Sequence, residues 1–334
     1  MAGYEKRAIL KPMDAGEAID LGLRIYQKIA PLALKSTLVP MAICQAALTF
    51  GIDVVAPEVF LTRHGGDLKG ELGEIVFALA VVLVVAAPLF CFGMARAMSS
   101  VASLASDVVL GKRPDPELAD ERSRRSAGVA TLVVGSVLFW SSLMFLVSGA
   151  FAVVGLILDL KDPTSSLTVG LTTGIAVLIL PVAFGAIPFI LRANALAPVV
   201  SAIEGGSAKS ALKRSRSLMR THVGQGNTTT MLILNAMILA IVGSGLWSSL
   251  DFILEKSGLA LIVSQWNVLP GSGQILQLAL NSLPMFLTLW LLAPIWTTAA
   301  TVLYYDRIVR LEAYDVKVMV DDLSHANRRS VLLR

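Results

Sequence analysis

The chain has 334 residues, of which 55% are hydrophobic and 16% are charged, and its formal net charge is +4. An ordinary soluble domain carries about 25% charged residues, so this composition and the mean hydropathy of +0.72 exclude that class and predict a membrane protein. The basic residues flank apolar stretches without interleaved aromatic side chains. We therefore expect membrane lipids, and no nucleic acid, among the partners.

A cytoplasmic amphipathic helix is predicted over residues 1–30, ahead of the first membrane span. Asp14 and Glu17 have the spacing of a capping box at the start of a helix, and apolar residues follow at roughly helical intervals. No apolar core with a small-residue cleavage site occurs here. We therefore expect no cleaved signal peptide and a first span that serves as its own insertion signal.

Six stretches are long and apolar enough to cross the hydrocarbon core of a bilayer, which takes about 20 residues as a helix. They are residues 31–52, 74–95, 128–157, 167–191, 228–250 and 277–303. We therefore predict an all-α polytopic integral membrane protein with six transmembrane helices. The membrane domain is predicted to cover residues 31–306, and residues 307–334 to form a cytoplasmic tail.

The positions of the basic residues predict the orientation of the chain. Segments 1–35, 95–126, 192–221 and 306–334 hold 24 of the 28 Lys and Arg residues. Lys and Arg near a span are retained on the cytoplasmic side. We therefore expect a multi-pass protein of the cytoplasmic membrane with both termini in the cytoplasm.

A weak internal repeat underlies this layout. A cytoplasmic helix, an outward span, an outer connection and a returning span recur from near residues 14, 115 and 207. Each unit is long enough for one helical hairpin and its leading helix. The six spans are therefore predicted to form three hairpins, with amphipathic cytoplasmic helices between them.

Residues 207–222 carry the clearest signal for a basic amphipathic helix. Four cations fall at i, i+4, i+7 and i+11 on one face, with mostly small and apolar residues on the other. Such a helix is typical of a membrane interface, where each Lys or Arg near an anionic surface contributes about 1 kcal/mol. A solvated face of a helix packed on the protein itself is an equally good interpretation. The candidate lipid or partner contacts are Lys209, Lys213, Arg214, Arg216 and Arg220.

Polar residues inside the spans are candidates for a transport site, because an unpaired polar group is costly in lipid. Arg192 ends the fourth span, and Asn235 and Asn281 lie in the fifth and sixth. We favour helix-to-helix hydrogen bonds for the asparagines, and pairing with headgroups or a helix end for Arg192. Prolines in the fourth and sixth spans could break those helices around a cavity. A transporter or permease-like subunit for a small or lipid-like solute is therefore the alternative function.

No arrangement of residues in the sequence predicts catalysis. The three histidines lack the spacing of metal ligands, and neither a nucleophile turn nor a nucleotide-binding motif occurs. Asp67, Glu71 and Glu74 in the acidic outer connection 53–74 could bind a divalent cation, but a solvated loop is the better interpretation. We therefore predict no enzyme activity, no metal and no cofactor, and an enzyme acting on lipid headgroups is the third hypothesis.

The end of the last span carries a distinctive motif, residues 303–315, with the sequence LYYDRIVRLEAYD. Its aromatic residues are predicted to lie at the membrane–water interface, and Asp306 and Arg310 have the i, i+4 spacing of an ion pair. The interface motif consists of Tyr304, Tyr305, Asp306, Arg307, Arg310 and Glu312.

This motif resembles the signature L-Y-Y-D-x-R-x-R-x-E-G-x-D of bacterial glycerophosphoryl diester phosphodiesterase membrane domains and their stand-alone relatives. The earlier stretch ALKRSRSL at 211–218, with Glu204 and Gly205 ahead of it, is similar to a second segment of that family, E-G … A-L-x-R-S-x-x-L. The chain departs from the signature at Ile308 and Ala313, where the family has Arg and Gly.

The resemblance implies a bacterial membrane domain that stands alone, without the phosphodiesterase domain to which some relatives are fused. Together with the basic inner face, it leads us to expect a non-catalytic scaffold or accessory subunit of the bacterial cell envelope. The expected partners are lipid headgroups and, as an alternative, another envelope protein.

Overall fold

The computed structural model describes residues 13–51, 80–161, 188–220, 225–258 and 272–312, together with positions 77, 174, 175 and 179. Within these residues the chain is helical and contains no strand, as predicted. The helices are α1 (Ala15–Thr49), α2 (Ala87–Val109), α3 (Pro116–Lys161), α4 (Ala197–Ile203), α5 (Ala208–Arg220), α6 (Gln225–Ser257) and α7 (Ser272–Glu312). A π-helical turn, Val82–Ala86, leads into α2.

Five helices are long and apolar enough to cross a membrane: α1, α2, α3, α6 and α7. Each of them overlaps one of the six predicted spans, in agreement with a multi-span membrane protein, but the second lies at Val82–Val109 instead of the predicted 74–95. The fourth predicted span, 167–191, lies largely outside the described residues, as do the outer connection 53–74 and residues 313–334. Because α7 continues to Glu312, the predicted start of the tail at residue 307 lies inside a helix.

The predicted leading helix and the first span form one uninterrupted helix. α1 begins after Asp14, whose side chain accepts a hydrogen bond from the backbone N–H of Glu17 at 2.7 Å. It then continues for 35 residues through Pro31 and Pro40. With a rise of about 1.5 Å per residue the helix is about 52 Å long, well beyond the roughly 30 Å of a hydrocarbon core. Part of α1 therefore lies outside any membrane that its apolar part crosses.

The three helices that start the predicted units are capped in the same way. Asp115 precedes α3 and accepts a hydrogen bond from the N–H of Glu117 at 2.9 Å. Ser207 precedes α5 and accepts one from the N–H of Ser210 at 3.2 Å. With Asp14, each of these side chains satisfies a donor that a helix N-terminus leaves without a partner. The predicted unit starts near residues 14, 115 and 207 are therefore helix starts in the structure.

Buried side chains concentrate at one end of the helix bundle, which we call the core end. It is formed by the N-terminal turns of α1 and α3, the C-terminal turns of α2 and α7, and the short helices α4 and α5. The C-terminal half of α2 is almost completely buried there. Serine, threonine and asparagine side chains are buried at this end together with apolar ones. Contacts between polar side chains can therefore join the helices at the core end.

The opposite ends of the long helices are much more exposed. α6 buries few of its side chains, and Ile241, Trp247 and Phe252 are among its exposed apolar residues. Trp140 of α3 is likewise more than half exposed. Extended apolar surfaces of this kind are typical of contact with a membrane.

A glycine allows α1 and α2 to cross closely. A Cβ atom on Gly93 would lie 2.7 Å from Cys44 Sγ and would also collide with the carbonyl oxygen of Pro40. The Cys44 thiol donates to the carbonyl of Phe90 at 3.3 Å. Cys44 and Cys91 are free and buried, as is common for thiols that pack as small apolar side chains.

Candidate functional site

The motif at the end of α7 is buried inside the protein. Tyr304 and Tyr305 are 2% and 3% exposed, and Arg307 is fully buried. The two tyrosine rings meet edge to face, with centroids 5.2 Å apart. The sequence predicts these rings at a membrane–water interface, but the structure places them between helices, because their hydroxyl groups find partners within the protein.

The two tyrosine hydroxyl groups connect α7 to neighbouring elements. Tyr305 Oη and Ser106 Oγ lie 2.6 Å apart and share a hydrogen bond, which links α7 to α2. Tyr304 Oη donates to a carboxylate oxygen of Glu204, just after α4, at 2.8 Å. A buried hydroxyl group without a partner is costly, so these bonds fix the C-terminal turns of α7 relative to α2 and α4.

The ion pair predicted within the motif is present. Arg310 Nε lies 2.9 Å from Asp306 Oδ2, and both side chains are largely buried. The same two residues bind the backbone of Met13: Asp306 accepts from its N–H at 2.9 Å, and Arg310 donates to its carbonyl. Because Met13 directly precedes the cap of α1, the motif attaches the start of α1 to the end of α7.

Arg214 of α5 is partly buried and pairs with carboxylates at the ends of α4 and α7. Its guanidinium lies 3.3 Å from Glu204 and also pairs with Glu312, at the end of α7. Burial lowers the pKa of Arg214, but the hydrogen bonds and charges of Glu312 and Glu204 outweigh this effect and raise the pKa, so the group stays charged. Arg214, a predicted lipid or partner contact, therefore holds α5 on α7.

The apolar side of α5 is packed against the protein. Ala211, Leu218 and Met219 are part of the buried core, and Ser215 is fully buried. Ser215 Oγ donates to the backbone carbonyl of Ala193 at 3.1 Å. This side of the helix is therefore not available to lipid, and the opposite side faces outward.

Four cations on the outward side of α5 form what we call the basic quartet: Lys209, Lys213, Arg216 and Arg220. All four are exposed. Arg216 Nε donates to the buried side chain of Asn194 at 3.1 Å. The other three form no ion pair with the residues that the structure describes. The quartet extends about 16 Å along the helix axis, so it presents a row of charge rather than a point.

The arginines at the start of α3 have a different environment. Each of them has a carboxylate partner, and so does Arg96 of α2. The pairs are Arg96–Asp120 at 2.7 Å, Arg122–Asp107 at 3.1 Å, Arg124–Asp120 at 2.9 Å and Arg125–Glu121. The positive charge of the segment 95–126 is thus compensated largely within the segment, whereas that of the basic quartet is not.

Two buried serines at matching positions were not predicted from the sequence. Ser123 and Ser215 each lie eight residues after the cap of their helix, α3 or α5. Ser123 Oγ donates to the carbonyl of Arg96 at 3.0 Å, as Ser215 does to the segment before α4. Gly22 has the same position in α1, where a Cβ atom would lie 3.5 Å from the Cα atom of Ala299 in α7. Their common distance from the caps is the signal that could have identified them.

The polar candidates for a transport site do not share a cavity in the part of the chain that is described. Asn235 is buried beside Trp296, at a cavity of about 10 Å³ between α6 and α7, with room for about one water molecule. Asn281 is exposed and lies about 22 Å from Trp296 along α7. Arg192 is half-buried beside the residues that bind α5 and does not line this cavity. The cavity at Asn235 therefore offers no room for a solute.

The described residues contain no group of three or more His, Cys, Asp or Glu side chains that could hold a metal ion. Asp67, Glu71 and Glu74, the candidate cation ligands, lie outside those residues. The acidic side chains that the structure does place at the core end, such as Glu204 and Asp306, are engaged with arginines and tyrosines.

No protein-family model, curated protein or solved structure matches this chain. Its function is therefore inferred from the core end itself. There, polar contacts join α1, α2, α4, α5 and α7, and one row of cations on α5 faces outward.

Proposed function

We propose that the chain is a non-catalytic membrane scaffold or accessory subunit of the bacterial cell envelope, with the basic quartet as its contact surface. Lipid headgroups or an envelope protein bind this surface. The proposal includes six spans in three hairpins, with the core end and both termini in the cytoplasm. It also includes kinship with stand-alone relatives of the glycerophosphoryl diester phosphodiesterase membrane domains, which the stretches at 211–218 and 303–315 support.

Matching positions in α1, α3 and α5 support the repeat. Eight residues after each cap, a small residue packs on another unit. In α3 and α5 this is the preceding unit, at α2 and at the segment before α4, and in α1 it is the last unit, at α7. Four residues after each cap stands a buried alanine. These alanines are Ala18, Ala119 and Ala211. Each unit is therefore supported by a neighbouring one, as in other repeat proteins.

The observation that carries the proposal is an exposed row of cations on a firmly held helix. Lys209 and Lys213 lie four residues apart, as do Arg216 and Arg220. Like charges at this spacing destabilise a helix by about 0.2–0.5 kcal/mol per pair. Because the row is unfavourable by itself, we attribute it to the binding of an anionic partner. Arg214 and the buried side of α5 hold the row in place, so binding requires no rearrangement of the helix.

The position of the quartet supports contact at a membrane surface. α5 packs on α3, α6 and α7, which are three of the five helices able to cross a membrane. Lys and Arg close to spans are retained in the cytoplasm. The quartet and the core end therefore belong on the cytoplasmic side.

Affinity purification of the full-length chain from native membranes, with identification of bound lipids and proteins, tests this function. We expect anionic lipids or an envelope protein to co-purify, and most of this material to be lost when the quartet is changed to glutamine. The matched control Arg124→Gln/Arg125→Gln, in α3, should retain it. A chain that purifies alone and moves a solute after reconstitution would contradict the scaffold and favour the transporter.

A further inference from the structure

We infer, on the basis of the proposed function, that the occupant of the basic quartet is anionic lipid, bound through the phosphate groups of the membrane that surrounds the chain. Three features of α5 favour lipid over a protein: the composition of its outward side, its comparison with α3, and its packing on helices that can cross a membrane.

The outward side of α5 has no apolar residue that could bind a protein. Its exposed residues are Lys209, Ser210, Lys213, Arg216, Ser217 and Arg220. Protein–protein interfaces derive most of their affinity from a few buried aromatic, apolar or arginine side chains, and lysine is depleted from their centres. An anionic membrane surface, by contrast, attracts a basic segment through its charges alone. The residues of this side therefore match a lipid surface better than a protein.

Exposed positions that carry acids in α3 carry lysines in α5. Glu117 and Glu121 stand two and six residues after the cap of α3, and Lys209 and Lys213 stand at the same distances from the cap of α5. All four side chains are exposed. Because exposed ion pairs contribute little to folding, the inversion changes the surface of α5 and leaves its packing intact. Of the two helices, only α5 therefore has cations at both of these exposed positions.

The packing of α5 brings the quartet close to helices that can cross a membrane. The Debye length is about 10 Å at 0.1 M salt, so the quartet attracts only charges close to α5. The helix packs on α3, α6 and α7, which are long and apolar enough to cross a membrane, so under the proposed function the headgroups around these helices are the anionic groups within this range. Lys ammonium and Arg guanidinium groups both donate hydrogen bonds to phosphate oxygens. The chemistry and the location of the quartet therefore agree.

The test uses the full-length chain in vesicles of phosphatidylcholine with a minority of phosphatidylglycerol. A fluorophore on Ser217→Cys reports from the quartet, because Ser217 is exposed while Cys44 and Cys91 are buried. A quencher is attached near the headgroup of either lipid, in separate vesicles. We expect stronger quenching by phosphatidylglycerol, and a smaller difference at 1 M salt, where the Debye length falls to about 3 Å.

Charge reversal tests whether the lipid preference comes from the quartet or from the rest of the protein surface. Lys209→Glu/Lys213→Glu gives α5 the acids that α3 carries. Each lost positive charge weakens attraction to an anionic surface about fivefold, so the loss of two should lower the preference for phosphatidylglycerol about 25-fold or more. The matched control Glu117→Lys/Glu121→Lys alters the same positions of α3 and should leave the signal at Ser217→Cys unchanged. Both variants should shift the thermal unfolding midpoint only slightly, since the altered side chains are exposed.

Two results of the vesicle experiment would overturn the lipid inference. One is equal quenching by the two lipids, and the other is an unchanged preference for phosphatidylglycerol in Lys209→Glu/Lys213→Glu. A protein cross-linked through Ser217→Cys in native membranes, without a lipid preference in vesicles, would also overturn it, but the scaffold proposal would stand. Solute transport by a chain that prefers phosphatidylglycerol would overturn the scaffold and leave the lipid inference intact.

Discussion

α3 and α5 share a sequence pattern, counted from the polar residue that caps each helix. A buried alanine follows four residues after the cap and a buried serine eight residues after it, and arginines stand seven and nine residues after it. Their surfaces nevertheless differ. In α3 both arginines pair with carboxylates, of Asp107 and Asp120. In α5, Arg214 turns toward Glu204 and Glu312, and the remaining cations face outward.

The difference shows that the number of basic residues does not measure surface charge. The segments 95–126 and 192–221 contain equal numbers of Lys and Arg residues. Where α3 has Asp120 and Glu121, α5 has Leu212 and Lys213, so α5 lacks the acids that could compensate its cations. The two helices share the capping residues and the buried small residues, and their exposed positions set the charge of each surface.

The largest expected effect comes from truncating the buried side of α5. Leu218→Ala should lower the free energy of unfolding by about 2–5 kcal/mol, because Leu218 is fully buried and its removal leaves a cavity in the core. The thermal unfolding midpoint in mild detergent measures this loss. The control Ser217→Ala, on the exposed side, should leave the midpoint unchanged. Equal midpoints for the two variants would contradict the burial of Leu218 and would mean that this side of α5 does not pack on the protein.

Removing a carboxylate from α3 should have the next largest effect. Asp120 is the partner of both Arg96 and Arg124, and Arg96 is largely buried. Asp120→Asn should therefore lower the free energy of unfolding by about 1–3 kcal/mol. Glu121→Gln breaks an exposed pair with Arg125 and should cost less than about 1 kcal/mol. Similar losses for both variants would contradict Asp120 as the main counter-charge of α3.

The equivalent serines should contribute equally to stability. Ser123→Ala and Ser215→Ala each remove one hydrogen bond to a backbone carbonyl, and each should lower the free energy of unfolding by about 0.5–1.5 kcal/mol. The effects should add in the double variant, since the serines bind different partners. Denaturant unfolding in detergent measures all three variants. Clearly unequal losses would show that the two positions are not structurally equivalent.

The smallest expected effect on stability falls on the basic quartet. Lys213→Gln relieves repulsion by Lys209 and should raise the free energy of unfolding by at most about 0.5 kcal/mol. Arg125→Gln in α3 removes an attraction to Glu121 and should lower it by a similar amount. Unfolding midpoints of the two variants, compared in one neutral detergent, test the difference in sign. If Lys213→Gln lowered the stability as Arg125→Gln does, an acidic group would have to lie close to Lys213.

Local features of the fold were predictable from the sequence. The start of α1 after Asp14 and the pair between Asp306 and Arg310 depend on residues within about one helical turn of each other. The apolar character of five of the spans is likewise a property of consecutive residues. The role of Tyr304 was not predictable, because its partner Glu204 lies 100 residues away in the chain.

The sequence by itself determined where α1, α3 and α5 begin, that five of the predicted spans are apolar enough to cross a membrane, and that α5 carries four cations on one side. Only the tertiary structure decided that Arg214 pairs with Glu204 and Glu312, that the tyrosines of α7 are buried, and that the apolar side of α5 lies against protein. The physical reason is the range of the interactions. Caps, apolar runs and i, i+4 pairs act within a few residues, whereas burial and charge compensation depend on which distant helices come together.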